Sequence, residues 1–339
     1  MVRYARACTA LAARRDFEFP PGRASFVMDV EGVPVFVKRI ALTDVEQMWG
    51  YTTANLFDLP AFCQYGVGSP GFGAWRELAA NVMATNWVLA RQTDAFPLLY
   101  HWRVVPGAPP VIPEHRDLDA ATAYWGGSDQ VRSRLSAVAE AKSSLVLFQE
   151  HIPFTLVYWL PTLSGAELAS AYAMVERCLR EGIAFMNGQG LHHFDAHYGN
   201  LLTDGDRLYI GDLGLATSHR FNLSDQERTF LDQHRTHDAA YAAMGLVNWI
   251  ATHVCGYRTP EYRGTPARNE FVRRCAAGHT PPGLAEPFAA ILRTYSPVAV
   301  VMNAFYWELF GTRRDEPYPA DEIRALLPIS ALLPALPSH

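Results

Sequence analysis

Between Leu191 and Ala216 the chain reads LHHFDAHYGNLLTDGDRLYIGDLGLA. The run sets His193, Asp195 and Asn200 in a His-x-Asp-x-x-x-x-Asn spacing, just ahead of an apolar strand, Leu208-Tyr209-Ile210, that leads into Asp212-Leu213-Gly214. Acid and amide side chains at this spacing predict a compact, oxygen-rich cluster. Such a cluster holds Mg²⁺ beside a nucleotide phosphate and leaves one carboxylate to orient an attacking hydroxyl. Phosphoryl transfer is mostly positioning and charge neutralisation, so hard oxygen ligands must converge on the polyphosphate. A loop aspartate taken alone is more often an Asx-turn or a helix cap. Here the joint pattern points to chemistry: a hairpin around Asp204-Gly205-Asp206 separates the two loops, and a glycine follows Asp212.

The cations carry a second signal. The chain has 27 Arg and only two Lys, Lys38 and Lys142. A GC-rich genome, which favours Arg codons, is the plain cause. In such a chain a lysine on a strand marks a place where a compact ammonium serves better than a planar guanidinium, as at a phosphate in a tight cleft.

The elements that would position these residues are readable in outline. Residues 24–40, ASFVMDVEGVPVFVKRI, predict a β-hairpin about Glu31-Gly32, with Lys38 near the end of its second strand. Residues 41–73 are aromatic and Gly-rich with little helical periodicity, and read as a long structured excursion. A helix follows at 74–91, where apolar residues recur at three- and four-residue intervals. A strand spans 97–105, and the Pro/Gly-rich 106–130 stretch reads as a surface excursion. Residues 131–142 read as helical, and SSLVLFQEHI (143–152) as a strand buried on both faces. Ser164 and Glu167 match a capping box, opening a helix that runs to about Asn187 and is ended by Gly188 and Gly190. Further helices are expected near 225–235, 238–254, 265–277, 283–295 and 299–310. A strand-rich part over 1–150 and a helix-rich part over 151–339, joined near Glu150–Pro153, make an α+β chain of two lobes.

Composition narrows the class. Apolar residues make up 49% and charged residues 19%, which suits a packed globule rather than a disordered chain. A formal charge of −5 offers no electrostatic attraction to nucleic acid or an anionic membrane. No uncharged apolar run of about 18 residues is evident, so no membrane span is expected. The Arg-flanked N-terminus reads as a helix at the protein's edge rather than a secretory signal. Five scattered cysteines without a CxxC pair argue against zinc or a disulfide framework, and imply reduced thiols and a cytoplasmic setting.

The HFDAHYGN and DLG runs resemble the catalytic and metal-binding loops of the protein-kinase-like superfamily. They are closest to its small-molecule branch, the aminoglycoside phosphotransferases and choline kinases, where H-x-D-x-H-x-x-N is frequent. The resemblance covers most of residues 20–255 and is most specific over 193–214. It implies a bilobal protein-kinase-like fold, with a small antiparallel-sheet N-lobe and a larger, mainly helical C-lobe. It also implies ATP or GTP and Mg²⁺ as cofactors, with Asp195 orienting the acceptor hydroxyl and Asn200 and Asp212 holding the metal. Lys38 matches the lysine that contacts the nucleotide phosphates, and its implied partner is a helix glutamate. Glu77, in the stronger helix, is preferred over Glu46, which reads as an exposed acid. His193 is expected beneath the loop, bonded to backbone. His197 is expected either to neutralise the transferring phosphoryl group or bond Asp195, or to be structural. Backbone N–H groups near Gly22 and Ser25, in the Pro20–Ser25 stretch, either meet phosphate or form an ordinary turn. The 148–151 segment, with Glu150 and His151, is implied as the interlobe linker whose backbone binds adenine. Asp238 either ties the loop from below or is an ordinary helix N-terminal acid.

Departures from the family pattern shape the expected acceptor. No Ala-Pro-Glu triplet follows Asp212, the segment after Leu215 is short, and Leu213 replaces phenylalanine in the triplet. The expectation is therefore phosphorylation of a hydroxyl on a small molecule: an antibiotic, nucleoside, sugar or amino alcohol. Acidic residues Asp225, Glu227, Asp232 and Glu308 would favour a cationic acceptor, and the aromatic 41–73 excursion would cover a flatter one. A serine/threonine protein kinase with a divergent activation segment and a nucleotide-binding scaffold are the alternatives.

Overall fold

The computed structural model describes residues 2–14, 19–20, 22–66, 68–257 and 266–327. They form an α+β chain with small antiparallel sheets that divides into two compact units. The described residues of Met1–Ile152 and Asp212–Arg228 make the first, and those of Pro153–Gly211 and Thr229–His339 the second.

The first unit opens with helix α1 (Val2–Ala13), followed by strands β1 (Ser25–Val30) and β2 (Val33–Leu42). Glu31 and Gly32 turn the hairpin with φ of 51° and 78°, the left-handed pair that matches the twist of the flanking strands. Helices α2 (Asp44–Met48) and α3 (Ala74–Leu89) precede strand β3 (Leu99–Pro106). Helices α4 (Leu118–Tyr124) and α5 (Asp129–Ala139) then lead to strand β4 (Ser143–Glu150). The strands pair antiparallel in the order β1-β2-β4-β3. β4 is interior and buried from Ser144 to Gln149, as its unbroken apolar run suggests. Lys38 stands mid-strand, opposite Ser25 on β1 and Leu147 on β4, because β2 continues to Leu42 rather than stopping near residue 40. One sheet face buries Val35, Val37 and Phe148 against Ala7 and Leu11 of α1. The other buries Leu145 and Leu147 against Ala74, Trp75 and Leu78 of α3.

Both excursions differ from their sequence reading. The 41–73 stretch contains α2 and a 3₁₀ turn at Ala61–Gln64, and 106–130 contains α4. They share one core: Leu59, Cys63 and Phe72 pack against Ala121 and Trp125, closed by Val131 and Leu135 of α5. Phe57 and Phe62 pack on this core too, so these aromatic side chains serve the interior rather than a substrate cover. Helices of one or two turns show too little periodicity to be recognised, yet still bury an apolar face.

The second unit starts with strand β5 (Phe154–Thr155), the short helix α6 (Leu156–Trp159) and helix α7 (Gly165–Gly188). Strands β6 (Leu191–His192), β7 (Leu201–Thr203) and β8 (Leu208–Ile210) follow. β5, β7 and β8 form an antiparallel sheet in that order. After the return to the first unit, α8 (Asp225–Gln233) leads to α9 (His237–Trp249), extended by a π-helical turn at Ile250–Val254. Then come α10 (Pro266–Ala276), α11 (Glu286–Gly311) and α12 (Ala320–Leu326). The expected helix at 265–277 begins at a residue outside those described.

Two further expectations fail here. Ser164 makes no capping bond, since Gly165 adopts φ of 54° and the chain enters α7 through a left-handed residue. The separate helices at 283–295 and 299–310 are the single helix α11, which runs through Pro297. A proline inside a helix removes one hydrogen bond at a cost of about 3 kcal/mol. Burial of Phe288, Ile291, Leu292, Val298, Met302 and Phe305 offsets it. α11 is long and apolar enough to cross a membrane, but 61% of its most apolar stretch is buried inside the fold, as in a core helix.

Candidate functional site

Each unit carries part of the expected constellation. In the first, β2 presents Lys38 and the first turn of α3 presents Glu77, with Lys38 Nζ 2.7 Å from Glu77 Oε1. The same ammonium donates to Asp212 Oδ1, also at 2.7 Å. Glu77 rather than Glu46 is thus the lysine's partner. Burial works against the Lys38 charge, but the carboxylates of Asp212 and Glu77 outweigh it and hold the ammonium above the usual lysine range. Burial pushes Glu77 up from the usual carboxylate value, and the like charge of Asp212 adds to it. Asp212 adopts φ of 49°, and its Oδ1 also accepts the Gly214 N–H at 3.2 Å. A Cβ at Gly214 would lie 3.0 Å from Asp212 Oδ1 and 3.2 Å from Glu77 Oε2. A side chain at 214 would therefore press on both carboxylates.

In the second unit, Asp195, His197 and Asn200 lie on one loop between β6 and β7. Asn200 Nδ2 donates to the Asp195 carbonyl at 2.9 Å and to its Oδ2 at 3.2 Å. The amide oxygen is thereby turned away from Asp195. His197 Nδ1 accepts the Gly199 N–H at 3.0 Å, which leaves the ring proton on Nε2, 3.8 Å from Asp195 Oδ2. His193 is fully buried: Nδ1 accepts the Asp195 N–H at 3.1 Å and Nε2 donates to the Gly211 carbonyl at 2.8 Å. Its expected place beneath the loop, bonded to backbone, is the observed one. Gly211 also donates its N–H to the Asn200 carbonyl at 2.9 Å, and Asp212 is the next residue along the chain.

Asp238, at the first turn of α9, anchors the loop. It accepts the His193 N–H at 2.7 Å, the Phe194 N–H at 2.8 Å and the Asn187 amide at 2.7 Å. Burial opposes its charge, but the bond from His237 and the nearby His192 and Asn187 more than compensate. Its carboxyl is held well below the usual range. Phe194 is fully buried with φ of 64°, a left-handed conformation that costs a bulky residue on the order of 1 kcal/mol or more. The two N–H bonds to Asp238 and a stack on His237, with ring centroids 5.0 Å apart, hold it there.

Tyr198 was not singled out by the sequence reading, yet it fastens the loop from the other side. The Tyr172 hydroxyl donates to the Leu246 carbonyl at 2.8 Å, so the Tyr198 hydroxyl donates in its 2.7 Å contact with Tyr172. Both rings stack on Trp249. Tyr198 lies within the HFDAHYGN run, but its partners are distant in sequence.

The remaining expected nucleotide residues are less committed to a site. Gly22 forms an open turn with φ of 69°, and nothing crowds a Cβ there. Ser25 is exposed at the start of β1, and Pro21 of the same stretch lies outside the described residues. Glu150 uses its carboxylate to accept the Leu98 N–H at 3.2 Å, which pins the start of β3. His151 follows β4 and is half-buried.

The acidic surface is smaller than its sequence suggests: Glu227 is buried in an ion pair with Arg76, and Asp232 pairs with Arg235. Glu46 overturns its reading as an exposed acid. It is 2% exposed, closes a capping box with Thr43 on α2 and pairs with Arg134 at 3.0 Å. The signal was present as Thr43-x-x-Glu46, the spacing that Ser164-x-x-Glu167 also has but does not use.

Among the described residues no three His, Cys, Asp or Glu side chains gather as a metal cage. Each loop offers a hard oxygen donor of the kind Mg²⁺ takes, the Asn200 amide in the second unit and the Asp212 carboxylate in the first. No protein-family model matches the chain, and no curated protein matches it.

Proposed function

We propose that the chain is a Mg²⁺-dependent phosphotransferase that moves the γ-phosphate of ATP or GTP to a hydroxyl of a small molecule. On this reading the two units are the lobes of a protein-kinase-like fold. The observation that carries it is Lys38: a strand lysine, in a chain with one other lysine, clasped by Glu77 and Asp212 at 2.7 Å each. A purely structural ion pair needs one carboxylate; the second leaves the cluster one negative charge in excess, which a divalent cation at Asp212 would offset before a polyphosphate could bind.

The chain's residues divide the work. Glu77 fixes the ammonium of Lys38 against phosphate oxygens. Asn200 and Asp212 would hold Mg²⁺, which when bound screens the negative charge of the triphosphate. Asp195 takes the acceptor hydroxyl's hydrogen bond and receives its proton as the phosphoryl group departs. The Asn200 amide keeps that carboxylate in one rotamer. Nε2–H of His197 faces the Asp195 carboxylate and orients it further. The absence of an Ala-Pro-Glu triplet after Asp212 favours a small acceptor over a peptide.

The test is a panel of hydroxylated antibiotics, nucleosides, sugars and amino alcohols incubated with Mg·ATP and Mg·GTP. The expected result is a mass gain of one phosphate on a small molecule. Incorporation only into serine or threonine of a protein would replace this reading with a protein kinase. A nucleotide-induced thermal shift without turnover would replace it with a nucleotide-binding scaffold.

A further inference from the structure

Helix α3 delivers Glu77 to Lys38, yet its N-cap, Gly73, has no side chain to cap it. The Ala74 N–H is met instead by Glu46 Oε1 at 2.8 Å, and the Trp75 indole donates to the Glu46 carbonyl at 2.7 Å. Oε2 of the same carboxylate accepts the N–H and hydroxyl of Thr43, at 2.9 and 2.8 Å, and Arg134 Nη1 at 3.0 Å. Arg134 in turn donates to the carbonyls of Pro70 and Gly71, immediately before α3. A Cβ on Gly73 would come within 2.9 Å of Glu46 Oε1, so the approach admits only glycine.

A second set of bonds meets the residue next to Glu77. Arg76 is 2% exposed and donates to the Thr53 carbonyl at 2.6 Å and to Glu227 Oε1 at 2.7 Å. The Thr53 hydroxyl accepts the Asn222 N–H at 2.8 Å, and the Gln64 amide donates to the Leu215 carbonyl. Residues 43–72 therefore hold both α3 and the return segment that begins at Asp212.

Apolar residues of equal volume would stabilise such an interior at least as well as two buried ion pairs. What ion pairs add is a defined register, because each has few geometries that satisfy all its hydrogen bonds. We propose that the Thr43–Phe72 segment is a built-in brace. Its Glu46 with Arg134 of α5, and Arg76 of α3 with Glu227 of α8, are positioning residues that keep Glu77 and Asp212 converged on Lys38 in the resting chain. Assembly of the ion cluster then needs neither a covalent modification nor a partner. This inference rests on the phosphotransferase reading.

The test is a double-mutant cycle read by calorimetric titration of the full chain with Mg·ATP and with Mg·GTP. Glu46→Gln is expected to weaken binding about tenfold when Lys38 is present, and less than about twofold in a Lys38→Ala background. Glu227→Gln is expected to follow the same pattern with a smaller effect. Melting curves establish that each variant folds. Should Glu46→Gln fail to fold, Thr43→Val, which removes the two bonds its hydroxyl makes with Glu46, and Glu227→Gln carry the measurement. Equal losses in both backgrounds, or none in either, would overturn the brace and leave phosphotransfer standing. A wild-type chain that binds neither nucleotide with Mg²⁺ would overturn both.

Discussion

At Lys38 an ammonium meets one carboxylate from α3 and another that lies 174 residues further along the chain. At Asp195 the whole loop from His193 to Asn200 spans eight consecutive residues, and its bonds run from side chain to nearby backbone. The first arrangement is charge against charge, drawn from distant segments and partly open to solvent. The second is a local knot of short-range bonds around the Asp195 carboxylate, tied down by one buried aspartate, Asp238. On the proposed reading, a group that must meet a polyphosphate needs a charged head and some freedom to exchange partners. A group that must meet one proton needs a fixed direction. The contrast matches that division of labour.

If the division is right, changes in the two regions separate in kinetics. Asp195→Asn keeps the loop's shape but removes the proton acceptor. Turnover is expected to fall by about a thousandfold while Mg·nucleotide affinity stays within about twofold. Initial rates and calorimetry on the same preparation would show this, and a parallel loss of affinity would erase the contrast. Asp212→Asn should do the reverse in part. Nucleotide affinity and Mg²⁺ dependence are expected to weaken by roughly thirtyfold, as when one partner of a hydrogen-bonded charge pair is removed.

The anchor can be tested through stability. Asp238→Asn is expected to cost about 3 kcal/mol in urea unfolding at neutral pH, because two backbone N–H groups and an amide lose a charged acceptor. The folded-state pKa of Asp238 is depressed, so its contribution is present above the ordinary carboxylate range and is lost as pH falls through the folded value. The gap between wild type and variant should accordingly narrow on acidification below about pH 4. Per pH unit the effect is smaller at His234, held at about 3 against an ordinary 6.5 by burial, with the nearby charges of His237 and His192 adding to it. It stays neutral in the fold while the unfolded chain takes up a proton below 6.5. Wild-type stability should fall by roughly 1 kcal/mol per pH unit through that window. His234→Phe should flatten the slope, and an unchanged slope would show that other groups set it.

What the sequence made legible follows the same division. The Asp195 loop was readable because its parts are neighbours in the chain, and spacing alone encodes which groups meet. The Glu31-Gly32 hairpin and buried β4 were readable for the same local reason. Lys38 and Glu77 were readable as a pair only through a family resemblance, since nothing in their separation fixes a contact. Glu46 and Glu227 read as surface acids, and Arg134 and Arg76 drew no reading, because a buried ion pair and an exposed one look alike in a sequence. The short helices α2 and α4 hide in segments whose periodicity is too brief to register. Pro297 misled in the opposite direction: a residue that ends helices in isolation is tolerated where packing on both sides holds the helix together.

Gly199 bears on how this loop can change over generations. A Cβ there would sit 2.7 Å from Cε1 and 3.0 Å from Nδ1 of His197, whose ring is pinned over the residue by that residue's own N–H. Positions 197 and 199 are therefore coupled. A lineage that keeps the imidazole must move the ring, and give up the bond from 199, to admit a side chain two places on, whereas one that first trades the ring for a flexible chain opens the site. The order of mutation matters, and a survey of variants made in both orders would find one route costlier than the other.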